Sequence, residues 1–335
     1  MSIGKSGRNK ILGILGAVII LIFGAIFGVN FDEVIPNETT QEEQSQQVTE
    51  SVTEKPAEVQ GSLELTMIDV GQADSFLLEQ GEYTALIDCG TRSTGKDVVK
   101  YLKDHGITKI DYVFGTHPHD DHMGGMYDVI TNFEIGKVVL PKVKSGEVTS
   151  NWYLKLMGEL SQEKYEVEYA ETGQIYMIGD AIMKIIGPIN EPSSNLNNYS
   201  TVMKISFGEM DIIMTGDAEK SVEADILKSK VDLDAEILKV GHHGSDTSTS
   251  TEFLDAINPE YALISAKVGN KYKHPIKETM QNLEKRDIIV YRTDECGTVV
   301  ATITSNSVEF STEPGDYLSG TELKEKMQKW KVTRQ

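Results

Sequence analysis

Tyr112-Val113-Phe114-Gly115-Thr116-His117-Pro118-His119-Asp120-Asp121-His122 is an apolar strand that runs straight into a turn carrying three imidazoles and adjacent carboxylates. Nitrogen and hard oxygen donors crowded onto one short strand-terminal loop form the set that zinc, manganese or iron prefers. The competing reading is a polar surface turn whose histidines coincide by chance. The chain holds only 7 His in 335 residues, with three of them here, and that concentration weighs against coincidence.

Two further stretches end an apolar strand in donors. Asp211-Ile212-Ile213-Met214-Thr215-Gly216-Asp217 ends in a carboxylate, whose two oxygens can join two cations that would otherwise repel. Gly-Asp after a strand is also an ordinary turn, so this signal is weak alone. Ile237-Leu238-Lys239-Val240-Gly241-His242-His243-Gly244-Ser245 runs into a glycine-flanked histidine pair. Three strand-terminal motifs can converge on one edge of a sheet assembly, where ligand-holding concavities form.

Outward from these motifs, β-branched runs alternate with helical ones from residue 63, separated by Gly and Asp turns. The pattern predicts strands at 63–70, 75–79, 84–87, 112–115, 137–140, 181–186, 201–207, 211–214, 237–240, 261–265, 288–291, 298–303 and 308–311. Helices fit 96–104, 125–130, 152–161, 219–229, 251–257 and 275–285, with a terminal helix over 321–330. This strand-heavy mixture, with hairpins at both ends, predicts an α+β fold: a four-layer αββα sandwich in which each sheet buries one face on the other.

Ahead of this domain, Lys5, Arg8 and Lys10 precede an uncharged apolar stretch from Ile11 to Val29, near the length that crosses a bilayer as a helix. A cleaved signal peptide is the alternative, but its apolar core is normally shorter and ends at a small-x-small site, for which Ala25-Ile26-Phe27 is a poor candidate. Basic residues before the stretch and Asp32, Glu33 and Glu38 after it predict a cytoplasmic N-terminus and an extracellular remainder. Between residues 31 and 60 stand eight acids and one base with little apolar surface to bury, the composition of a solvated, extended spacer. The expected organisation is a single-pass membrane anchor over 1–30, an acidic linker over 31–61, the sandwich over 62–313 and a C-terminal tail over 314–335. A formal net charge of −20 argues against a general nucleic-acid-coating surface, so any such activity must be local. A local cationic run, Lys267-Val268-Gly269-Asn270-Lys271-Tyr272-Lys273-His274, reads either as a rim that receives an anionic substrate or as a solvated approach to the next helix.

His-x-His-x-Asp-His followed by Gly-Asp and a later histidine resembles the metal-binding series of the metallo-β-lactamase superfamily. Asp69-Val70-Gly71-Gln72-Ala73-Asp74, Asp88-Cys89-Gly90, Asn198-Tyr199-Ser200, Gly241-His242-His243-Gly244-Ser245, His274-Pro275 and Thr293-Asp294-Glu295-Cys296-Gly297 are similar to its ComEC-type branch, the hydrolase-like domain of DNA-uptake competence proteins. The resemblance implies two divalent ions, zinc or manganese. His117 and His119 would hold one and Asp121 and His122 the other, with Asp217 joining them and either His242 or His243 completing the second site. Most superfamily members place another metal-binding histidine between the first motif and Gly-Asp. None lies here between Met123 and Asp217, which implies an open position neighboured by Asn198. Asp88 is expected to order the metal loop by accepting its backbone N–H groups, the alternative being a plain turn residue. Ser245 and Lys273 are expected beside the site or the substrate. Cys89 and Cys296 fall in turns of the family framework, where an oxidising exterior would allow a disulfide; two unrelated thiols are the alternative.

The implied reaction is hydrolysis by a water that two cations acidify, with Asp121, His242 and His274 as the residues nearest the chemistry. An anionic substrate, single-stranded DNA or another phosphodiester, is expected over a lactam or thioester. Two rivals stand beside this reading: a cell-surface phosphocholine esterase, and a non-catalytic module whose metal site shapes a DNA- or cell-wall-binding cleft.

Overall fold

The computed structural model describes residues 58–192 and 195–332. The expected anchor and most of the expected linker lie outside them. Among the described residues, no helix is long and apolar enough to cross a membrane.

Among the described residues fifteen strands form two mixed sheets. The first contains β1 (Leu63–Met67), β2 (Phe76–Gln80), β3 (Tyr83–Ile87), β4 (Lys109–Phe114), β5 (Glu134–Leu140), β6 (Glu166–Tyr169), β14 (Val299–Ile303) and β15 (Val308–Phe310), in the order β15-β14-β1-β2-β3-β4-β5-β6. The second contains β7 (Ile175–Ile178), β8 (Ala181–Gly187), β9 (Val202–Phe207), β10 (Met210–Met214), β11 (Ile237–Lys239), β12 (Tyr261–Ile264) and β13 (Ile289–Arg292), in the order β13-β12-β11-β10-β9-β8-β7. Each sheet joins an antiparallel half to a parallel half made by helical crossovers. Gly81 and Gly208, at φ of 61°, open two-residue hairpin turns that a residue with a Cβ enters only with strain.

Helices α1 (Gly95–Asp104), α2 (Asp120–Met123), α3 (Met126–Ile130) and α4 (Asn151–Leu160) belong to the first half of the chain. The second half supplies α5 (Lys220–Ser229), α6 (Thr251–Ile257), α7 (Lys277–Glu284), α8 (Thr293–Cys296) and α9 (Gly320–Val332). Successive strand side chains point to opposite faces, so neighbours such as Leu77 and Leu78 enter different cores. Leu78, Phe76 and Met67 meet Ile205, Ile212 and Ile237 between the sheets. Leu77, Leu86 and Val113 pack outward on Val98, Leu102 and Met126 of the first helical layer. On the far side Ile213, Leu238 and Ala262 pack on Ile226, Leu254 and Met280. Three apolar layers separate helices, sheet, sheet and helices, the expected sandwich. Helix α9, whose Leu323 is buried, is tied to the start of α7 by Lys277 Nζ donating to Glu322 at 2.7 Å and by Gly320 N–H donating to Pro275 O at 2.8 Å.

Of the two readings of the cysteines, a disulfide and two unrelated thiols, the structure has the second: Cys89 and Cys296 are free. Cys89 is buried in the core between the first sheet and its helices, whereas Cys296 packs at the edge of the core between the sheets. The two thiols therefore lie in different layers. Burial pushes the Cys89 thiol well above its ordinary pKa.

Candidate metal centre

The parallel strands β3, β4, β10 and β11 deliver their carboxyl ends to one edge of the sandwich, and each continues into a donor loop. Strand ends of this kind leave backbone free to shape a ligand site. β3 leads to Asp88, β4 to His117, β10 to Asp217 and β11 to the His242-His243 pair.

Asp217 is the centre of the cluster. Its Oδ2 lies 3.8 Å from His117 Nε2, 3.5 Å from His242 Nε2 and 3.9 Å from His243 Nε2. Its Oδ1 lies 3.3 Å from His122 Nε2. The two carboxylate oxygens thus face different imidazole sets. His117 Nε2 and His119 Nδ1 are 3.0 Å apart, the spacing of neighbouring nitrogen ligands on one cation about 2.1 Å from each. His243 Nε2 is 3.8 Å from Asp121 Oδ2.

Two donor triplets, His117 with His122 and Asp217, and Asp121 with His122 and His243, each have ligand atoms within 4.8 Å of one another. The fit to cations rests on what these atoms lack. His122 Nε2, His243 Nε2 and Asp217 Oδ1 are buried without a hydrogen-bond partner, a costly arrangement that a cation between them would relieve.

Both histidines of the pair turn Nε2 toward Asp217, at 3.5 Å for His242 and 3.9 Å for His243, and they differ in burial. His242 and His243 sit in a 3-10 turn with φ of 51° and 53°, a left-handed conformation that non-glycine residues seldom adopt. This twist buries His243 beside Asp121 and leaves His242 partly exposed at the cavity mouth. Ser245 acts on His242 indirectly: Thr247 Oγ1 donates to Ser245 Oγ at 3.1 Å and contacts His242 Nδ1 at 2.9 Å.

A layer of buried partners fixes the ring orientations. Asp88 accepts from Thr116 N–H at 2.8 Å, Thr116 Oγ1 at 2.7 Å and His122 Nδ1 at 2.7 Å, so it orders both loop and imidazole. Ser265 O accepts from His243 Nδ1 at 3.0 Å. Both bonds leave Nε2 free to face the cluster. Lys239 Nζ lies 2.8 Å from Asp74 Oδ2 with both side chains buried, and it also donates to Gly216 O at 3.1 Å. Sequence reasoning singled out neither Lys239 nor Asp74 for a role. The only cue was a lysine inside an otherwise apolar run.

Titration follows burial and these contacts. Burial lowers His117, His119 and His242 below the ordinary imidazole value. Burial also opposes protonation of His122, but the Asp217 and Asp88 carboxylates outweigh it and hold that imidazole well above. His243 is raised in the same way, against burial, by Asp217 and Asp74. Burial pushes the Asp217 carboxyl up, yet the facing His122 and His243 hold it well below the carboxylate range. The same acids thus favour positive charge at His122 and His243, the positions where a cation would balance them. His274 is lowered to about 4, first by burial and then by His242 and His243, and is neutral at physiological pH.

The mouth is a cavity of about 210 Å³ lined by His119, Asp121, Asn197, Asp217, His242 and His274. Asn197, rather than the expected Asn198, faces it. Asn198 Oδ1 instead accepts from Glu219 N–H at 3.3 Å at the start of α5. Lys273 is exposed and lines neither this cavity nor the adjoining one, which takes Lys267 and Lys271.

Residues 68–266 match the profile of the Metallo-beta-lactamase superfamily. The ComE operon protein 3 of Bacillus subtilis (strain 168) is 32% identical over 256 residues, which cover 70% of this chain and 32% of that protein. Competence protein ComA of Neisseria gonorrhoeae is 28% identical over 235 residues, 70% of this chain and 31% of that protein. The chain spans about a third of the length of these relatives. The solved metallo-beta-lactamase fold protein YhfI from Bacillus subtilis aligns with 75% of this chain and 100% of its own, at 13% identity and a TM-score of 0.47.

Proposed function

Since the chain belongs to the metallo-β-lactamase superfamily and is related to the hydrolase-like domain of competence proteins, we propose that it is a two-cation hydrolase of phosphodiesters, held at the outer face of the cell membrane by residues 11–29. The observation that carries the reading is Asp217, whose Oδ1 faces His122 and whose Oδ2 faces His117, with buried, partnerless donor atoms around it. His117 and His119 would hold one cation; Asp121, His122 and His243 the other; Asp217 would touch both. Zinc or manganese bound there would supply an acidified water and offset charge on a phosphoryl group.

The chain's own residues do the rest. Asp88 and Ser265 O fix the tautomers of His122 and His243, so that their Nε2 lone pairs point inward. Asp74 and Lys239 balance each other beside the second donor group, and Lys239 also donates to the Gly216 carbonyl that precedes Asp217. His242 and His274, with ring centres 5.6 Å apart at the mouth, flank the place where an anionic substrate enters. A neutral His274 serves there as a hydrogen-bond donor to a phosphoryl or leaving-group oxygen rather than as a standing positive charge. The strongly negative net charge of the protein as a whole makes such local groups decisive for an anion.

The test is metal analysis coupled to a substrate panel of single-stranded DNA, a bis-aryl phosphodiester, a choline-phosphate ester and a chromogenic lactam. Phosphodiester turnover that depends on manganese or zinc and is lost in Asp217→Asn supports the reading. Turnover confined to the choline ester selects the phosphocholine esterase, and turnover of the lactam alone overturns the phosphodiester assignment. Ligand binding without any turnover, and fewer than two cations per chain, selects the non-catalytic module.

A further inference from the structure

A second cavity, of about 570 Å³, opens beside the first and shares Asp120, Asp121 and Tyr272 with it. Its wall is the loop from Lys267 to Tyr272, which leaves the carboxyl end of β12. Asp120 is offset by Arg92, whose Nε lies 2.7 Å away. The aliphatic stem of Lys267 packs over Gly71, and that of Lys324, from α9, packs against Gly269 of the same loop. The C-terminal helix therefore adds a fourth ammonium to Lys267, Lys271 and Lys273. Among the described residues none of these four pairs with a carboxylate, whereas their neighbours Lys277 and Lys326 both do, with Glu322 and Asp316. In a chain of net charge −20, Lys267 and Lys271 on the cavity wall, with Lys273 and Lys324 on the adjoining loop and helix, are a local reversal of the overall sign. Tyr272 stands where the two cavities meet. Its ring is 52% exposed and stacks on His274 at 5.6 Å between ring centres and 24° between planes.

We propose that this second cavity is a strand-binding subsite for single-stranded nucleic acid. The inference rests on the phosphodiester reading above and deepens it. With one phosphodiester at the donor cluster, the adjoining nucleotides run along loop 267–273. Lys267, Lys271 and Lys324 receive backbone phosphates and Tyr272 offers its ring to a base. Backbone charge and a planar ring are the two features that flexible single strands present together, and grooves that bind them combine ammonium groups with exposed aromatics. A poly(polyol phosphate) has the charge without the ring, so it would use the lysines and leave Tyr272 idle. A strand subsite further predicts that the protein prefers oligonucleotides over isolated small phosphodiesters.

The experiment uses the full-length chain. Binding of fluorophore-labelled oligothymidines from two to about twelve nucleotides is followed by anisotropy in a chelator, and cleavage of the same series is followed with added manganese. Affinity should rise with length and then level off, and log Kd should depend steeply on log salt. Lys267→Ala/Lys271→Ala/Lys324→Ala should flatten the salt dependence by up to about three phosphate contacts. The same variant should lose at least about tenfold more rate on the longest strand than on bis(p-nitrophenyl) phosphate. Tyr272→Leu should weaken strand binding about fivefold to a hundredfold and Tyr272→Phe should restore it. A length-independent affinity, equal losses on long and small substrates, or poly(glycerol phosphate) binding as tightly as oligothymidine would each overturn the subsite. If the wild type cleaves no phosphodiester but still binds strands in this length- and Tyr272-dependent way, the hydrolase reading fails while the subsite stands.

Discussion

Lys239 illustrates how a single side chain supports the centre from outside it. Its ammonium and the Asp74 carboxylate, 2.8 Å apart, are both about 1% exposed, so neither can exchange its partner for water. Lys239→Met should cost about 3–5 kcal/mol in chemical denaturation, because it strands a buried carboxylate. Lys239→Met/Asp74→Asn should regain much of that loss. A double variant no more stable than the single would show that the pair is not the cause. This contact was not legible in the sequence, since a lysine within Ile237-Leu238-Lys239-Val240 gives no sign of which carboxylate awaits it. The difference in burial between His242 and His243 was hidden for a related reason: the pair sits at two positive φ angles that neither residue type advertises. The candidate donor loops were legible, because donor-rich turns at the ends of apolar strands stand out against the chain's few histidines.

Among the elements, α1 and α3 approach so closely that only glycine fits between them. A Cβ on Gly125 would lie 2.1 Å from Cys89 O and 2.7 Å from the Gly95 Cα. Gly125→Ala should therefore separate the helices from the loop that carries Asp88 and destabilise the protein by about 1–3 kcal/mol, read as a lowered melting temperature. An unchanged melting temperature would show that the crossing can relax. Most central strands were readable because both of their faces are buried, which gives continuous apolar runs. β6, Glu166-Val-Glu-Tyr169, was missed because it is an edge strand with charged residues, and β7, Ile175–Ile178, because it is a short strand at the edge of the other sheet. The four-residue helices α2 and α8 escaped because one helical turn leaves no periodicity to detect. α2 begins inside the metal motif itself, with His119 at its cap, so a stretch read as loop is partly helical.

For the whole molecule, the cluster links stability, protons and cations. His122 is raised in the folded chain, so its stabilising contribution is present below the ordinary imidazole pKa and is lost as pH rises through the folded value. Asp217 is depressed, so its contribution is present above the ordinary carboxylate pKa and is lost only as pH falls through its low folded value. Metal-free protein should consequently weaken on the alkaline side, where the protons that balance Asp217 and Asp88 depart. Cations bound there would replace those protons, so the rise in melting temperature on adding manganese or zinc should grow between about pH 6 and about pH 9. A rise that is flat or shrinks with pH would contradict this linkage. The central claim is tested most directly by an anomalous-difference map from crystals loaded with manganese or zinc. The account predicts two peaks about 3.5–4 Å apart on either side of the Asp217 carboxylate, one beside His117 and His119 and the other beside Asp121, His122 and His243. No peak there, with the imidazoles in the positions described and cations bound elsewhere, would contradict it.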